Sequence, residues 1–171
     1  MQLVNEAMDI SAASVCVHSV NVKFVAEQSS GRIPVCSVVG FPTGAVPSVV
    51  KAAEASAAVA DGATEIDMVI HIGAMKDKRY TDVYLDVKAV RDAVPGVTLK
   101  VILETSSLTK EEVLLASWAS KLAGADFLKT STGFGPGGAT VEDVRILRSV
   151  SKKVKASGGM KTREDCESML A

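Results

Sequence analysis

Short apolar runs, each followed by a stretch with helical spacing, divide this chain into a repeating unit. The runs occupy residues 13–18, 35–41, 65–71, 98–104, a segment opening at Asp126, and 153–156. They start near positions 13, 34, 65, 98, 126 and 153, in steps of 21 to 33 residues. Each is nearly continuous in apolar side chains, which predicts strands of a parallel sheet covered on both faces. Helices are expected over 2–9, 21–29, 47–61, 81–93 and 109–123, and from Thr140 and Thr162 onward. Gly31, Gly62 and Gly124 supply helix stops, and Pro47 suits a first helical position. Thr109 with Glu112, Thr140 with Asp143 and Thr162 with Asp165 have the spacing of capping boxes. Residues 73–80 read as a connecting loop.

Strand and helix in strict alternation build an α/β fold with right-handed crossovers. An open doubly wound sheet and a closed barrel both satisfy that pattern. Polar side chains collect at the carboxyl ends of many strands: His18, Thr43, Glu104, Lys129 and Lys155, with Asp67 inside one. Only a barrel turns all those ends toward one mouth, and no Gly-x-Gly-x-x-Gly turn follows the first strand. The expected fold is a TIM-type (β/α)8 barrel, one domain over 1–171. Such barrels take roughly 200 residues or more. Six βα units are visible here, so the first and last strands are expected to be missing. The connection from Arg148 to Lys155 also looks about three residues short for a helix stop and a turn.

Composition narrows the function classes. With 47% hydrophobic and 23% charged residues the chain can bury a sizeable core. A net charge of -1 and scattered basic residues argue against nucleic acid or an anionic membrane as partner. The first ten residues lack a basic start and an apolar signal core, and no apolar run nears the roughly 18 residues of a membrane span. Cys16, Cys36 and Cys166 are odd in number and widely spaced, which suits reduced thiols and a cytoplasmic location.

The chemistry gathers in residues 126–138, where a strand ends in a lysine, three hydroxyl side chains and a run of glycines. A strand-end lysine with a packed stem and a wet amine is common. Here Lys155 repeats the arrangement one unit later, and two such lysines point to one pocket. An amine attacks a carbonyl only when deprotonated, against an intrinsic lysine pKa of about 10.4. Partial burial and a second cation on the adjacent strand both favour the neutral amine, so one lysine can be the nucleophile and the other its activator. Alternation puts Asp67 and Glu65 on the same side of their strand. Asp67 is expected to be either half of a structural ion pair or a proton relay paired to Lys155. Gly133, Gly135, Gly137, Gly138, Gly158 and Gly159 follow the lysine strands and would suit an anion such as phosphate. Ser131 and Thr132 read as hydrogen-bonding hydroxyls around an imine. Cys16 is expected in the core, within reach of the pocket. His18 and His71 show no metal-ligand spacing, so no metal or other cofactor is expected.

These residues closely resemble a known family. Lys129-Thr-Ser-Thr-Gly-Phe-Gly135, Gly137-Gly-Ala-Thr-Val-Glu-Asp-Val144 and Lys155-Ala-Ser-Gly-Gly159 are similar to motifs of deoxyribose-phosphate aldolase. So are Ser14-Val-Cys-Val17, Gly40-Phe-Pro42, Glu65-Ile-Asp-Met-Val-Ile70 and Lys100-Val-Ile-Leu-Glu-Thr105, in the family's order. The resemblance implies a lyase of carbohydrate degradation, a class I aldolase on a TIM barrel that needs no metal. Its substrate would be 2-deoxy-D-ribose 5-phosphate, cleaved to D-glyceraldehyde 3-phosphate and acetaldehyde. It implies Lys129 as the Schiff-base lysine, Lys155 as the activating lysine and Asp67 as the proton-transfer carboxylate. Thr132, Gly133, Gly158, Gly159 and Cys16 would contact substrate, the glycines at its phosphate, and a homodimer is expected. The family's opening Asp-His-Thr-like strand and closing Gly-Ala-Ser-Ser-like strand are absent, and His18-Ser19 stands where Asn-Pro or Tyr-Pro is usual. Two other readings follow: an inert fragment that survives by association, and a phosphate-binding Schiff-base barrel with another substrate.

Overall fold

The apolar runs pair side by side in chain order. In the computed structural model, which describes residues 2–170, they form β1 (Val15–His18), β2 (Val35–Val39), β3 (Glu65–Val69), β4 (Thr98–Ile102), β5 (Phe127–Lys129) and β6 (Val154–Lys155). All neighbours are parallel, in the order β1-β2-β3-β4-β5-β6. Between and around them lie α1 (Gln2–Asp9), α2 (Val22–Ser29), α3 (Ser48–Ala60), α4 (Ile72–Lys76), α5 (Tyr80–Ala93), α6 (Lys110–Leu122), α7 (Val141–Val150) and α8 (Arg163–Leu170). The crossover helices pack on one another in turn, α3 on α5, α5 on α6 and α6 on α7. Sequential strands with one continuous layer of helices are six consecutive units of a TIM-type (β/α)8 barrel. A doubly wound sheet would break the strand order and divide its helices between two faces.

Alternation gives each strand two unlike faces. Val35, Val39, Ile66, Met68, Ile70, Leu99, Val101, Leu103 and Leu128 join the main apolar cluster with helix residues such as Val83, Val87, Val90, Val113, Ala116 and Leu147. Burying a large aliphatic side chain there contributes about 1.5–3 kcal/mol. The other face presents Cys36, Asp67, Lys100 and Lys129, all buried. Packing on one face therefore holds a polar constellation in place on the other.

Helix ends follow the sequence closely. Thr109 and Glu112 form a complete capping box at α6, and the Thr140 and Thr162 hydroxyls accept from the backbone of Asp143 and Asp165. Three expectations change. Pro47 stands one residue ahead of α3 as its N-cap rather than inside it. Residues 73–80 are not all loop, because His71 Nδ1 accepts from Ala74 N at 3.0 Å and starts the short helix α4. The turn before β6 is not too short: α7 runs to Val150, and the Ser151 hydroxyl bonds the Lys153 backbone on both sides to make the reversal in three residues.

One buried ion pair ties the helix layer to the sheet. Lys51 of α3 donates to Asp86 of α5 at 2.6 Å and to Val69 O at the end of β3 at 2.9 Å. Asp86 also accepts from Ser48 Oγ at 2.8 Å and from His71 N at 3.1 Å. Burial pushes the Lys51 ammonium toward a lower pKa, and only the Asp86 charge and hydrogen bond oppose that.

Candidate active site

Register decides which side chains meet. Asp67 is level with Lys100 on β4, while Lys129 is level with Ile102, one inward step higher. A lysine stem reaching back from that step brings Lys129 Nζ to 2.7 Å from Asp67 Oδ2. Lys100 Nζ takes the other oxygen, at 2.8 Å from Oδ1, and also donates to Glu65 Oε2 at 2.6 Å and to Cys36 Sγ at 3.5 Å. The Cys36 thiol donates to Asp67 Oδ1 at 3.2 Å. Asp67 is fully buried and Lys129 is 8% exposed.

Burial works to raise the Asp67 pKa, but the Lys129 and Lys100 charges and their hydrogen bonds outweigh it and hold the carboxyl below its ordinary range. Asp67 is therefore an anion at neutral pH, fixed by two cations. Burial likewise disfavours charge on Lys100, yet Cys36, Asp67 and Glu65 together raise its pKa. That makes Lys100 a permanent cation of the site, unsuited to nucleophilic attack.

The expected Asp67–Lys155 pair is corrected by this geometry. Asp67 spends its oxygens on Lys129, Lys100 and Cys36, and Lys155 stands beside Lys129 in register on the next strand, half-buried. Cys16 is also corrected. It is exposed rather than core, on β1 directly opposite Cys36, and it does face the constellation. Lys100 and Cys36 were missed as site residues. A lysine midway through the apolar run 98–104 was the available signal, since such a residue is rarely buried without a partner.

Beyond the lysines the strand ends are stitched together. Thr130 Oγ1 donates to Ser157 O and accepts from Ser157 N, both at 3.0 Å, and Ser157 Oγ donates to Ser131 O at 2.7 Å. Glu104 accepts from Thr132 N at 3.2 Å and also from the Thr132 hydroxyl, so Thr132 is turned to the loop. The Ser131 hydroxyl is buried and unpartnered among the described residues, a free polar group at the lysine strand's end. Gly138 and Gly158 meet backbone to backbone: Ala139 N donates to Gly158 O at 3.0 Å, and a Cβ on Gly138 would lie 2.2 Å from that oxygen. Gly133 comes against the same point, with Gly159 next to Gly158, so the glycines of both lysine loops gather at one rim. His18, Phe41 and Phe134 form an edge-to-face aromatic chain across the mouth, with ring centroids 5.6 Å and 5.4 Å apart. Beneath Phe134 lies a cavity of about 270 Å³ lined by Pro42, Thr43, Ile72, Glu104, Thr132 and Gly135, among others.

The two thiols and Asp67 lie within 4.8 Å of one another, close enough to hold a metal ion. Both Asp67 oxygens already face ammonium groups, and a cation there would meet two like charges. The donor set fits proton chemistry better. A buried carboxylate touching an amine, beside a second amine and a hydroxyl without a partner, suits attack on a carbonyl followed by proton transfer.

Comparison with known proteins agrees. The model of the DeoC/LacD family aldolases matches residues 1–171. A deoxyribose-phosphate aldolase of Staphylococcus aureus is 47% identical over 173 aligned residues, which cover 99% of this chain and 79% of that one. Among solved structures, the aldolase QR15 superposes with a TM-score of 0.94 at 40% identity, over 99% of this chain and 77% of its own. The tetrameric deoxyribose phosphate aldolase of Aeropyrum pernix gives a TM-score of 0.86 at 33% identity, over 99% and 74%.

Proposed function

This chain belongs to the DeoC/LacD family of aldolases, and from that membership we propose that it cleaves 2-deoxy-D-ribose 5-phosphate to D-glyceraldehyde 3-phosphate and acetaldehyde through an imine on Lys129. The observation that carries this reading is the 2.7 Å contact between Lys129 Nζ and Asp67 Oδ2 in a buried, charged setting. The Lys129 amine gives up its proton to solvent and adds to the C1 aldehyde, with Asp67 in contact at 2.7 Å and placed to pass protons in the steps that follow. Loss of water gives the protonated imine. Removal of the C3 hydroxyl proton then breaks the C2–C3 bond, with its electrons drawn into the C=N⁺ group. Glyceraldehyde 3-phosphate departs, the remaining enamine takes a proton at C2, and hydrolysis of the imine releases acetaldehyde. Lys155, level with Lys129 on β6, is the second amine of the site and the proposed activating lysine.

The rim of Gly133, Gly158 and Gly159 suits the 5-phosphate, because backbone amides there can approach an anion closely. Ser131 takes over the hydroxyl role given jointly to Thr132, because Thr132 is engaged by Glu104. Cys16 lines the open side of the site. The reading covers 1–171 as one domain in the cytoplasm, supported by three cysteines that are all free thiols. Among the described residues no helix is long and apolar enough to cross a membrane.

The test is borohydride reduction in the presence of acetaldehyde, followed by peptide mapping. An N-ethyl group on Lys129 is expected, with cleavage unaffected by chelators. Label on Lys155 would exchange the roles of the two lysines, and unlabelled protein would remove the imine mechanism. Dimerisation belongs to the same proposal. Leu114, Trp118 and Leu122 leave an exposed apolar stripe along α6, the kind of surface that subunit contacts cover. Sedimentation should give a dimer that Trp118→Lys weakens; a monomer at all concentrations would sink it.

A further inference from the structure

Cys16 and Cys36 are direct partners across β1 and β2. Neighbouring strands run about 4.7–4.9 Å apart, inside the Cα separation of roughly 4.4–6.8 Å that a disulfide spans. The two sulfurs already lie within 4.8 Å of each other, on the same side of the sheet. One is exposed and the other buried, so an oxidant meets Cys16 first and finds a second thiol waiting behind it. We propose that Cys16 and Cys36 form a reversible disulfide under hydroperoxide, and that this bond detaches Cys36 from Asp67 and slows the aldolase.

The environment suits that division of labour. The contact with Cys36 lowers the Cys16 pKa, with help from the Lys129 and Lys155 charges and against burial and the Asp67 charge. The same contact, with burial and the Asp67 charge, raises the pKa of Cys36. Cys16 is the thiolate nucleophile and Cys36 the resolving thiol. In the first step the Cys16 thiolate attacks the O–O bond of hydrogen peroxide and becomes a sulfenic acid. The hydroxide that leaves takes up the proton Cys16 gave up, forming water. In the second step Cys36 sulfur attacks Cys16 sulfur. The sulfenic oxygen departs with the Cys36 proton, passed by way of Asp67 Oδ1, as a second water. Two thiols and one peroxide give one disulfide and two waters, and a dithiol reductant reverses the change.

The consequence reaches the reacting amine through one residue. Cys36 now donates to Asp67 Oδ1 and accepts from Lys100 Nζ. A disulfide has no S–H, so Asp67 loses one of its three donors while it orients Lys129. Turnover should fall by about tenfold, the loss that goes with one hydrogen bond to a charged group. That consequence rests on the aldolase reading, whereas the bond itself does not.

The test uses a Cys166→Ser protein, because Cys166 is a third, exposed thiol on α8 outside the site. After hydrogen peroxide the intact mass should fall by two hydrogen atoms, with the Cys16 and Cys36 peptides linked. Cleavage should slow by about tenfold and return with dithiothreitol. Adding Cys36→Ser should leave only oxygen on Cys16 and no mass loss. Oxygen added to Cys16 without a cross-link when Cys36 is present would overturn the proposal, and so would a cross-link that leaves turnover unchanged. Mass alone judges the bond, so a protein without aldolase activity would be told apart from a protein without the switch.

Discussion

Replacing Lys129 by leucine should lower cleavage of 2-deoxy-D-ribose 5-phosphate by more than about 10⁴-fold, the scale of loss when a covalent nucleophile is deleted. The same variant should take up no label from acetaldehyde and borohydride. Leucine keeps the stem's volume in a site where Lys129 is 8% exposed, so the fold should survive. It also removes one of the two ammonium groups that hold Asp67, and leaves Lys100 in place at 2.8 Å. The contrast with Lys155→Met makes the result specific. That protein should still be labelled on Lys129, only more slowly, because Lys155 lies beside the amine without touching Asp67 through any observed hydrogen bond. Initial-rate assays and peptide mapping of both variants check this. Substantial turnover by Lys129→Leu would remove the lysine from the chemistry.

Asp86→Ala should be the most destabilising single change away from the reacting groups. It strips Lys51, fully buried, of its only counter-ion among the described residues and leaves its ammonium with Val69 O. Breaking a buried pair in this way costs about 3–5 kcal/mol. Ser48 Oγ and His71 N lose their acceptor as well, at the start of α3 and the entry to α4. Removing both charges together, as Lys51→Met with Asp86→Leu, should cost less than Asp86→Ala alone, since no uncompensated ion then remains. Urea unfolding of the three proteins measures this. A loss below about 1 kcal/mol for Asp86→Ala would place the pair with surface ion pairs in its effect.

The strands and the proposed nucleophile were legible because both are written in short stretches of sequence. Continuous apolar runs bounded by glycine mark buried parallel strands, and a strand-end lysine stands out once Lys155 repeats the arrangement one unit later. The partner of Asp67 was not legible. Alternation says which way Asp67 points, but only register says what it meets. Because Lys129 is level with Ile102 and not with Lys100, two lysines from adjacent strands reach one carboxylate. Lys155, the expected partner, lies a strand further on. Cys36 escaped notice for a similar reason: as a small apolar residue in an apolar run it reads as core, and only its neighbours make it polar. His71 shows the local limit, since a histidine acting as an N-cap turned an expected loop into a helix.

The join between Gly138 and Gly158 has a consequence for anyone redesigning this protein. The loops after β5 and β6 hold each other by main chain, at a point where one added carbon would strike a carbonyl. Neither loop therefore has a shape of its own to inherit. Grafting the β5 loop from a relative to broaden the accepted aldehydes would import half of a matched surface. Recombination should cut before Lys129 and after Gly159, so that the two loops travel as one cassette.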